Sequence, residues 1–510
     1  MTKSLKNVEN PVIYADFPDP DVIRVGHTFY MVSTTMHFMP GALILRSYNL
    51  ADWEYAGHVY DVLDDYPAAR MEGGNIYGSG MWAASLKYFQ GRFYVLHIAN
   101  DTHCSYLYTS ENPEGPWECR KISGFYYDPG LFFDDDGKAY VVHGNREIRI
   151  TELNAELTGP EEGGLDKVIV RDSDEIPLGY EGSHLYKING KYVLCLVHWP
   201  KGSMRTQAVF IAERLEGPWS GKDVLCDDMG DFGAGVAQGG LVETPDGKWY
   251  SMLFQDHGAQ GRMPCLVPVS WEQDFPVFGI NGKAPKVLEV TDYNPGYGYE
   301  PLFSSDSFDY ADGNPVLKSC WEWNHIPCNE NWWVKEKTLC IRTGALSHNL
   351  VSCRNVLTQR VEGVTPAVSV TLDASELKDG DIMGLAAFES CYGFAGLTRK
   401  DGKCFVVRGE TNYPEGKVQP NRNNSEPDLI TEETELSGSL CEMRMEFDFT
   451  NLKDEVTFWW RKDSQEWQKL GSAHRLYFML DHFCGVRAGL FVYSRKEAGG
   501  TGKFRNFLTE

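Results

Sequence analysis

Three acidic residues stand at equivalent places in a repeated sequence pattern and could share acid–base chemistry: Asp19, Asp128 and Glu181. Two carboxyl groups facing one pocket are the minimum equipment for hydrolysing a glycosidic bond, because one donates a proton to the leaving oxygen while the other activates water. A third carboxylate nearby raises the pKa of the acid by like-charge repulsion, which keeps that acid protonated near neutral pH. The set therefore predicts a hydrolytic site, provided that the fold brings the three side chains together.

The competing interpretation is that each acid simply belongs to a turn. Asp19 and Asp128 occur in Asp-Pro and Glu181 in Glu-Gly, which are common turn dipeptides. Any one of them alone is better explained as a turn than as a catalyst. Their recurrence in register with the repeat favours a functional role for the set.

The elements that must position these residues are five copies of a short pattern in the first half of the chain. In each copy an apolar residue leads into a glycine turn, and an aromatic-rich apolar strand follows. Copies roughly fifty residues apart are typical of β-propeller blades. The copies cover residues 22–33, 86–97, 131–143, 185–198 and 241–254.

The equivalent position in the two remaining copies carries Trp82 and Gln238. In a propeller, the first strands of the blades converge on the central axis, so we expect these two side chains beside the acids. The face of Trp82 could stack on a sugar ring, although a Trp beside a strand is most often a core residue. Gln238 could hydrogen-bond a substrate hydroxyl, a water or a central cation, or it could be a buried turn amide.

Three further residues are candidates for substrate binding because they follow blade strands. Arg262 could hold a sugar hydroxyl or lower the pKa of a nearby carboxylate, although most arginines are surface charges. His37 and Phe38 follow the first blade strand, and we expect them to line the rim of the pocket.

The rest of the chain predicts a second β domain. Gly, Pro, Asn and Tyr are frequent between residues 286 and 303, which indicates a linker. We therefore expect an all-β protein, with a five-bladed β-propeller over residues 1–300 and a jelly-roll-like β-sandwich over residues 304–510. Representative sandwich strands are predicted at residues 338–342, 367–372, 443–449 and 489–493.

Composition excludes several classes of partner. The 72 acidic residues outnumber the 48 basic ones and give a formal net charge of −24, which argues against nucleic acid and anionic membranes. No run approaches the ~20 apolar residues of a membrane span. Without a signal-peptide core at its start, the chain is expected to be cytoplasmic, with its thirteen cysteines as reduced thiols. A small oligosaccharide is the expected partner, and the sequence leaves homo-oligomerisation open.

The expected chemistry requires no cofactor. The sequence does not settle the metal content, and a structural divalent cation such as calcium remains compatible with it. The run Asp134-Asp135-Asp136-Gly137 superficially resembles a calcium loop, but it lacks the liganding Glu and falls at a predicted blade hairpin. We interpret that run as a turn.

Several segments of the first half resemble glycoside hydrolase family 43. In the order expected for that family they are residues 17–26 (FPDPDVIRVG), 80–84 (GMWAA), 127–132 (YDPGLF) and 180–186 (YEGSHLY). The resemblance implies a five-bladed propeller of inverting enzymes that act on xylosides and arabinosides. It also implies that Asp19 is the general base and Glu181 the general acid, with Asp128 tuning the pKa of the acid and positioning it.

The second half resembles the C-terminal β-sandwich of the β-xylosidase branch of the family, through residues 321–325 (WEWNH) and 485–491 (GVRAGLF). In such enzymes this domain can extend an aromatic residue over the propeller mouth, and Phe483 is the candidate here. The chain departs from the family pattern at Asp21, where Ser is common, at Ala84, where Pro is common, and at Gln238, where His is frequent. No departure removes a catalytic carboxylate.

These features together indicate an exo-acting, inverting β-xylosidase that removes terminal xylose from xylo-oligosaccharides. Such a mechanism needs the acid and base carboxyls roughly 6.5–9.5 Å apart to admit a water. An α-L-arabinofuranosidase, or an enzyme with both activities, is the close alternative, because the two sugars present similar hydroxyl arrangements. A non-catalytic carbohydrate-binding propeller is the alternative from another class, but it would not need all three carboxylates.

Overall fold

The first half of the chain folds into five four-stranded antiparallel sheets, the blades of a β-propeller. The computed structural model describes residues 3–173, 176–230, 233–413 and 416–510. The sequence repeat corresponds to the first hairpin of every blade. Its turn glycines adopt φ values between 65° and 84°, which side chains with a Cβ rarely tolerate: Gly26, Gly91, Gly137, Gly190 and Gly247.

Within every blade the strands pair in chain order. An N-terminal strand, β1 (Ser4–Glu9), precedes them. Blade 1 contains β2 (Asp21–Val25), β3 (Thr28–Ser33) and, after the short β4 (Phe38–Met39) that leaves the blade, β5 (Gly41–Ser47) and β6 (Glu54–Tyr60). Blade 2 contains β7 (Met81–Phe89), β8 (Arg92–Ala99), β9 (Cys104–Ser110) and β10 (Glu118–Ile122). Blade 3 contains β11 (Gly130–Phe133), β12 (Ala139–His143), β13 (Glu147–Leu153) and β14 (Asp166–Arg171). Blade 4 contains β15 (Leu178–Ile188), β16 (Lys191–Trp199), β17 (Thr206–Ala212) and β18 (Ser220–Leu225). Blade 5 contains β19 (Leu241–Glu243), β20 (Trp249–Asp256), β21 (Arg262–Glu272) and β22 (Phe275–Phe278).

The N-terminal segment joins the two ends of the ring of blades. Strand β1 pairs with β23 (Val287–Asp292), which follows blade 5. The Asn10 side chain donates to the carbonyls of Leu266 and Pro285 and accepts from the Leu266 amide, each at 2.8 Å. Apolar residues of blades 1 and 5 also share one hydrophobic cluster. The contacts of the first residues therefore close the propeller.

The second half is a sandwich of two antiparallel sheets. Its strands are β24 (Glu322–Asn324), β25 (Trp332–Lys335), β26 (Thr338–Arg342), β27 (Leu357–Arg360), β28 (Ala367–Glu376), β29 (Asp381–Phe388), β30 (Gly393–Lys400), β31 (Lys403–Glu410), β32 (Leu429–Leu436), β33 (Leu440–Asp448), β34 (Glu455–Arg461), β35 (Gln468–Arg475), β36 (Arg487–Ser494) and β37 (Thr501–Thr509). One sheet has the order β32-β31-β30-β29-β36-β27-β24-β4, and the other β25-β26-β37-β28-β33-β34-β35. A large apolar cluster between these sheets forms the core of this half. The all-β architecture expected from the sequence is thus confirmed.

Strand β4 connects the two halves, because this piece of the propeller pairs with β24 of the sandwich. The paired residues are Trp323 with Met39 and Asn324 with Phe38. The eight-stranded sheet therefore has a propeller segment as its edge strand. The blade repeat does not predict this pairing, since β4 lies outside the repeated hairpins.

Helical structure in the described ranges is limited to short 3₁₀ turns. They span Ala68–Arg70, Gly258–Gln260, Asn329–Asn331, Leu350–Ser352 and Thr450–Leu452. Among the residues that the structure describes, no helix has the length and apolar character needed to cross a membrane.

Candidate active site

Asp19, Asp128 and Glu181, called the axis acids below, lie where the first strands of blades 1, 3 and 4 begin. Asp19, Asp128 and Gln238 share a left-handed backbone, with φ of 53°, 47° and 66°. This conformation costs a residue other than glycine on the order of 1 kcal/mol or more, so the surrounding blades must impose it. The repeat thus reproduces a backbone turn as well as a sequence position.

The glycine of Glu181-Gly182 has a specific packing role. Gly182 has φ of 64°, and a Cβ at this position would lie 3.0 Å from Gln238 Cγ and 3.1 Å from Val197 Cγ1. A larger residue would therefore displace the Gln238 side chain from the axis. The dipeptide is a turn, as the competing interpretation required, and the turn brings Glu181 and Gln238 into one site.

Three donors converge on Asp19, which is 8% exposed. Its Oδ1 accepts hydrogen bonds from Arg262 Nη1 at 2.9 Å and from Gln238 Nε2 at 3.0 Å. Its Oδ2 accepts from Thr34 Oγ1 at 2.8 Å. Both oxygens act as acceptors, and one donor is a guanidinium, which is the environment of an ionised carboxylate.

Glu181 accepts hydrogen bonds from neutral donors, whereas Asp19 is bonded by a guanidinium. Glu181 is also 8% exposed, and its Oε2 accepts from Asn145 Nδ2 at 2.5 Å and from the Tyr127 hydroxyl at 3.5 Å. Burial raises the pKa of Glu181 to about 6, although Asn145 and the charge of Arg205 oppose that rise. A carboxyl with such a pKa is protonated in a useful fraction of molecules near neutral pH, as a general acid requires.

Asp128 lies next to Glu181 and is 5% exposed. Its Oδ2 accepts a hydrogen bond from the Gly182 amide at 3.2 Å. Burial, followed by the charges of Glu181 and Asp19, raises the pKa of Asp128 well above its usual range. The three axis acids therefore interact electrostatically, as the sequence pattern suggested.

Aromatic and cationic side chains surround the mouth above the acids. Trp82 is half-buried, and its ring lies 5.3 Å from that of Phe483 and 6.1 Å from that of Tyr127. The Arg262 guanidinium lies 4.6 Å from the Phe483 ring centroid. Phe483 comes from the second half of the chain, so the sandwich supplies part of the wall of this site.

Asp16 anchors the segment that carries Phe483. Its Oδ1 accepts from the Arg262 amide and its Oδ2 from the Gly485 amide, both at 2.8 Å. A single buried carboxylate thus fixes the start of β21 and the sandwich loop together.

His37 and Phe38 do not lie at the pocket rim, so the expectation for these two residues needs correction. They are 0% and 1% exposed and lie beneath the sandwich. The His37 ring packs 4.8 Å from Tyr77 and 5.0 Å from His325, while Arg487 lies 3.5 Å from the Phe38 ring centroid. The sequence showed where the strand ends but not that the second half covers it.

Three residues near Glu181 were not predicted from the sequence: Asn145, Tyr127 and Arg205. Tyr127 directly precedes Asp128, and this adjacency could have suggested it. Asn145 and Arg205 lie in loops of blades 3 and 4, outside the repeated hairpins. Nothing in their local sequence marks them, because their role depends on contacts between blades.

A buried carboxylate inside the ring of blades is paired with a lysine and a histidine. Asp21 is fully buried and accepts from Lys87 Nζ at 2.9 Å, with His184 Nδ1 at 3.1 Å. Burial opposes its charge, but Lys87 and His184 hold the pKa of Asp21 well below its usual range. Within the described residues, no group of three or more His, Cys, Asp or Glu is arranged to hold a metal ion. Lys87 already supplies a cation at this carboxylate.

An acid with a raised pKa and a carboxylate bound by arginine, together at one propeller axis, are the pair of groups that a glycoside hydrolase requires. The family comparison is consistent with that class. Residues 8–276 match the model of glycosyl hydrolases family 43, and residues 305–510 match that of the beta xylosidase C-terminal concanavalin A-like domain. The chain belongs to glycosyl hydrolase family 43.

Individual relatives agree with this assignment. A beta-xylosidase of Formosa agariphila is 26% identical, over 96% of this chain and 88% of its own length. A non-reducing end alpha-L-arabinofuranosidase of Bacteroides ovatus is 25% identical, over 68% of this chain and 66% of its own. A solved structure described as bifunctional GH43-CE from Bacteroides eggerthii is 38% identical with a TM-score of 0.91, and it covers 99% of this chain. This chain spans 64% of that protein.

Proposed function

We propose that this chain is an exo-acting β-xylosidase that releases terminal xylose from xylo-oligosaccharides with inversion. The observation that carries the proposal is the contrast between two buried carboxyls of one site. Glu181 has a raised pKa, of about 6, while Asp19 is bound by the Arg262 guanidinium. The beta-xylosidase relative and the matched C-terminal domain support xylosides as the substrate class.

In the proposed mechanism, protonated Glu181 donates to the glycosidic oxygen while ionised Asp19 deprotonates a water on the opposite face of the sugar. Arg262, Gln238 and Thr34 keep Asp19 oriented for this step. Burial and the charge of Asp19 favour the protonated form of Glu181, and Asp128 positions the acid by accepting a hydrogen bond from the adjacent Gly182 amide. The product would be α-xylose, since a single displacement inverts the anomeric carbon.

The proposed substrate-binding residues are those at the mouth. Trp82 would stack on the sugar ring and Phe483 would cover it from the sandwich side. The Trp82–Phe483 ring contact of 5.3 Å supports a narrow mouth, which favours removal of one terminal sugar over cleavage within a chain. Arg262 and Gln238 have side-chain donors near Asp19 that a sugar hydroxyl could share.

α-L-Arabinofuranosidase activity is the second candidate, because the Bacteroides ovatus relative carries that name. Hydrolysis of nitrophenyl β-D-xylopyranoside and nitrophenyl α-L-arabinofuranoside by the wild type and by Asp19→Ala tests both. We expect strong xyloside cleavage that falls by roughly 10²–10⁴-fold in the variant, with α-xylose as the first product by NMR. Preferential arabinoside cleavage would keep the mechanism and change the substrate. Turnover of neither sugar would overturn the proposal.

We further propose that catalysis needs no divalent cation, because Lys87 neutralises Asp21 inside the ring of blades. Dialysis against EDTA should leave kcat/KM on the xyloside unchanged. Loss of activity that calcium restores would contradict this part of the proposal.

A further inference from the structure

We propose that Asn145 is a positioning residue for the general acid: it engages Oε2 of Glu181 and leaves Oε1 to carry the proton that reaches the leaving oxygen. The inference rests on the proposed function, because it concerns the same site. It assigns a role to a residue of blade 3 in the action of an acid of blade 4.

The segment that carries Asn145 bridges two blades. It forms the turn between β12 and β13, and its backbone hydrogen bonds reach the residues that directly precede the acids of blades 3 and 4. The Gly144 amide donates to the Tyr127 carbonyl at 2.8 Å, and the Arg146 amide donates to the Tyr180 carbonyl at 2.7 Å. Tyr127 and Tyr180 directly precede Asp128 and Glu181. Asn145 is therefore held between the two acids at fixed distances from their backbones.

The conformation of this turn is tightly constrained. Gly144 has φ of 120°, and a Cβ there would lie 2.3 Å from the Glu147 carbonyl oxygen, so only glycine fits. Arg146 adopts φ of 65°, and its guanidinium donates to the Ile176 carbonyl at 2.8 Å and to that of Ser173. Strain of this kind is retained where the surrounding contacts over-determine it, commonly at functional sites.

The hydrogen bonds at Glu181 are asymmetric between its two oxygens. Oε2 faces the Asn145 amide nitrogen at 2.5 Å and the Tyr127 hydroxyl at 3.5 Å. Among the described residues, none donates to Oε1. The amide nitrogen of Asn145 offers only hydrogens, so a proton on Oε2 would face that donor at 2.5 Å, while the Tyr127 hydroxyl, which can accept, lies farther away at 3.5 Å. The acidic proton therefore belongs on Oε1, the oxygen without a protein partner.

The same bond affects the strength of the acid. Burial raises the pKa of Glu181, and the hydrogen bond from Asn145 is the first of the interactions that lower it. A donor to a carboxylate stabilises the charged form that remains after proton transfer. Asn145 would thus orient the proton in the ground state and stabilise the carboxylate in the transition state.

The test compares Asn145→Ala with the wild type on two xylosides across pH. Xylobiose has a poor leaving group, so its hydrolysis needs the general acid. The dinitrophenolate of 2,4-dinitrophenyl β-D-xylopyranoside is a good leaving group that departs without protonation. We expect kcat on xylobiose to fall by at least about 10-fold and kcat on the dinitrophenyl xyloside by less than about 3-fold. The basic limb of kcat/KM for xylobiose should move to higher pH, because the carboxylate loses a donor.

Two further variants separate positioning from packing. Asn145→Asp keeps the side-chain shape but replaces the donor by an anion, so it should also lose activity on xylobiose and move the basic limb upward. Asn154→Ala is the matched control, since Asn154 lies in the same blade and, within the described part of the chain, its side chain hydrogen-bonds with Thr158 of its own turn. It should behave as the wild type.

Equal losses on both substrates with an unmoved basic limb would overturn the proposal and leave Asn145 a structural residue. Wild-type behaviour of Asn145→Asp would overturn it as well. A wild type that hydrolyses neither xyloside would instead overturn the proposed function itself.

Discussion

The molecule contains two buried groups of charged residues with opposite charge balance. At the propeller axis, Arg262 is the guanidinium that bonds an axis acid, and three carboxyls share that site. Between the propeller and the sandwich, a single carboxylate, Glu322, accepts from Arg360 Nη1 at 2.6 Å and from Arg487 Nη1 at 2.7 Å. We call Glu322, Arg360 and Arg487 the interface ion cluster.

The two groups show that burial alone does not set the pKa of a carboxyl. Glu322 is 0% exposed, and burial opposes its charge, but Arg360 and Arg487 hold its pKa well below the usual range. At the axis, burial and like charges act in the same direction and raise the pKa values of Asp128 and Glu181. The number of nearby cations therefore distinguishes a structural carboxylate from one that can donate a proton.

The interface ion cluster has a structural task. Arg360 Nε donates to the Asp16 carbonyl of the propeller at 2.8 Å, and Arg487 covers the Phe38 ring at 3.5 Å. Glu322 itself belongs to β24, which pairs with β4. The cluster thus holds the sandwich, and with it Phe483, against the mouth of the propeller.

The largest expected effect concerns the axis acids, where carboxyls outnumber cations. Glu181→Gln should lower kcat on xylobiose by roughly 10²–10⁴-fold, because the acid is lost, while thermal stability stays near that of the wild type. Steady-state kinetics and calorimetry on the same preparation measure both. A large fall in stability would mean that Glu181 is structural, like Glu322, and would break the comparison.

The next largest effect concerns the interface ion cluster. Glu322→Gln should lower the free energy of unfolding by roughly 3–5 kcal/mol, because it leaves two buried guanidiniums without their anion. Urea unfolding at pH 7 measures this loss. Glu111 is exposed and forms a surface ion pair with Arg92 at 3.5 Å, so Glu111→Gln is the control. This variant should change the free energy of unfolding by less than about 1 kcal/mol. Similar stabilities of the two variants would contradict the structural role of the cluster.

A smaller effect is expected from removing one of three buried histidines that lie near the interface ion cluster. His37, His325 and His482 are buried, and burial lowers their pKa values, to about 3 for His325 and about 4 for His482. They stay neutral in the folded state while the unfolded chain binds protons below about pH 6.5. Stability should therefore fall as the pH decreases below that value, by about 1.4 kcal/mol per pH unit for each histidine.

Unfolding by urea between pH 7 and pH 5 measures this slope. His482→Gln should make the slope shallower by about one histidine's share, while the remaining two histidines keep part of it. An identical slope in the variant and the wild type would show that His482 titrates normally in the folded protein.

The smallest effect on stability should come from removing one of the carboxyl groups at the propeller axis. Asp128→Asn removes one carboxyl from a group whose charges repel, so the free energy of unfolding at pH 7 should stay constant or rise by up to about 1 kcal/mol. Activity on xylobiose should nevertheless fall by at least about 10-fold. Destabilisation comparable to that of Glu322→Gln would remove the distinction between the two groups.

The sequence predicts the fold well because the blade signal is local. A few consecutive residues determine the first hairpin of each blade: a glycine with positive φ, such as Gly26, lies between two apolar strands. The axis acids could be predicted for the same reason, since each occupies a fixed place relative to its hairpin. Strand β4 could not, because its pairing with β24 joins segments that are far apart in the chain.

The site beyond the acids was less predictable. His37 and Phe38 were placed wrongly at the rim, because the covering sandwich leaves no trace in their own sequence. Asn145 was missed because its partner, Glu181, lies in the next blade and the bond depends on how neighbouring blades pack. Contacts between blades are set by packing, for which a single sequence carries no local pattern.

The most direct test of the account is the pH dependence of kcat/KM for xylobiose. Activity requires protonated Glu181, whose pKa is raised to about 6, so it should be lost as the pH rises through an apparent pKa near that value. Glu181→Gln should lack this basic limb on the dinitrophenyl xyloside. A wild-type limb near pH 4, the usual value for a glutamate, would show that Glu181 ionises normally and would contradict the account.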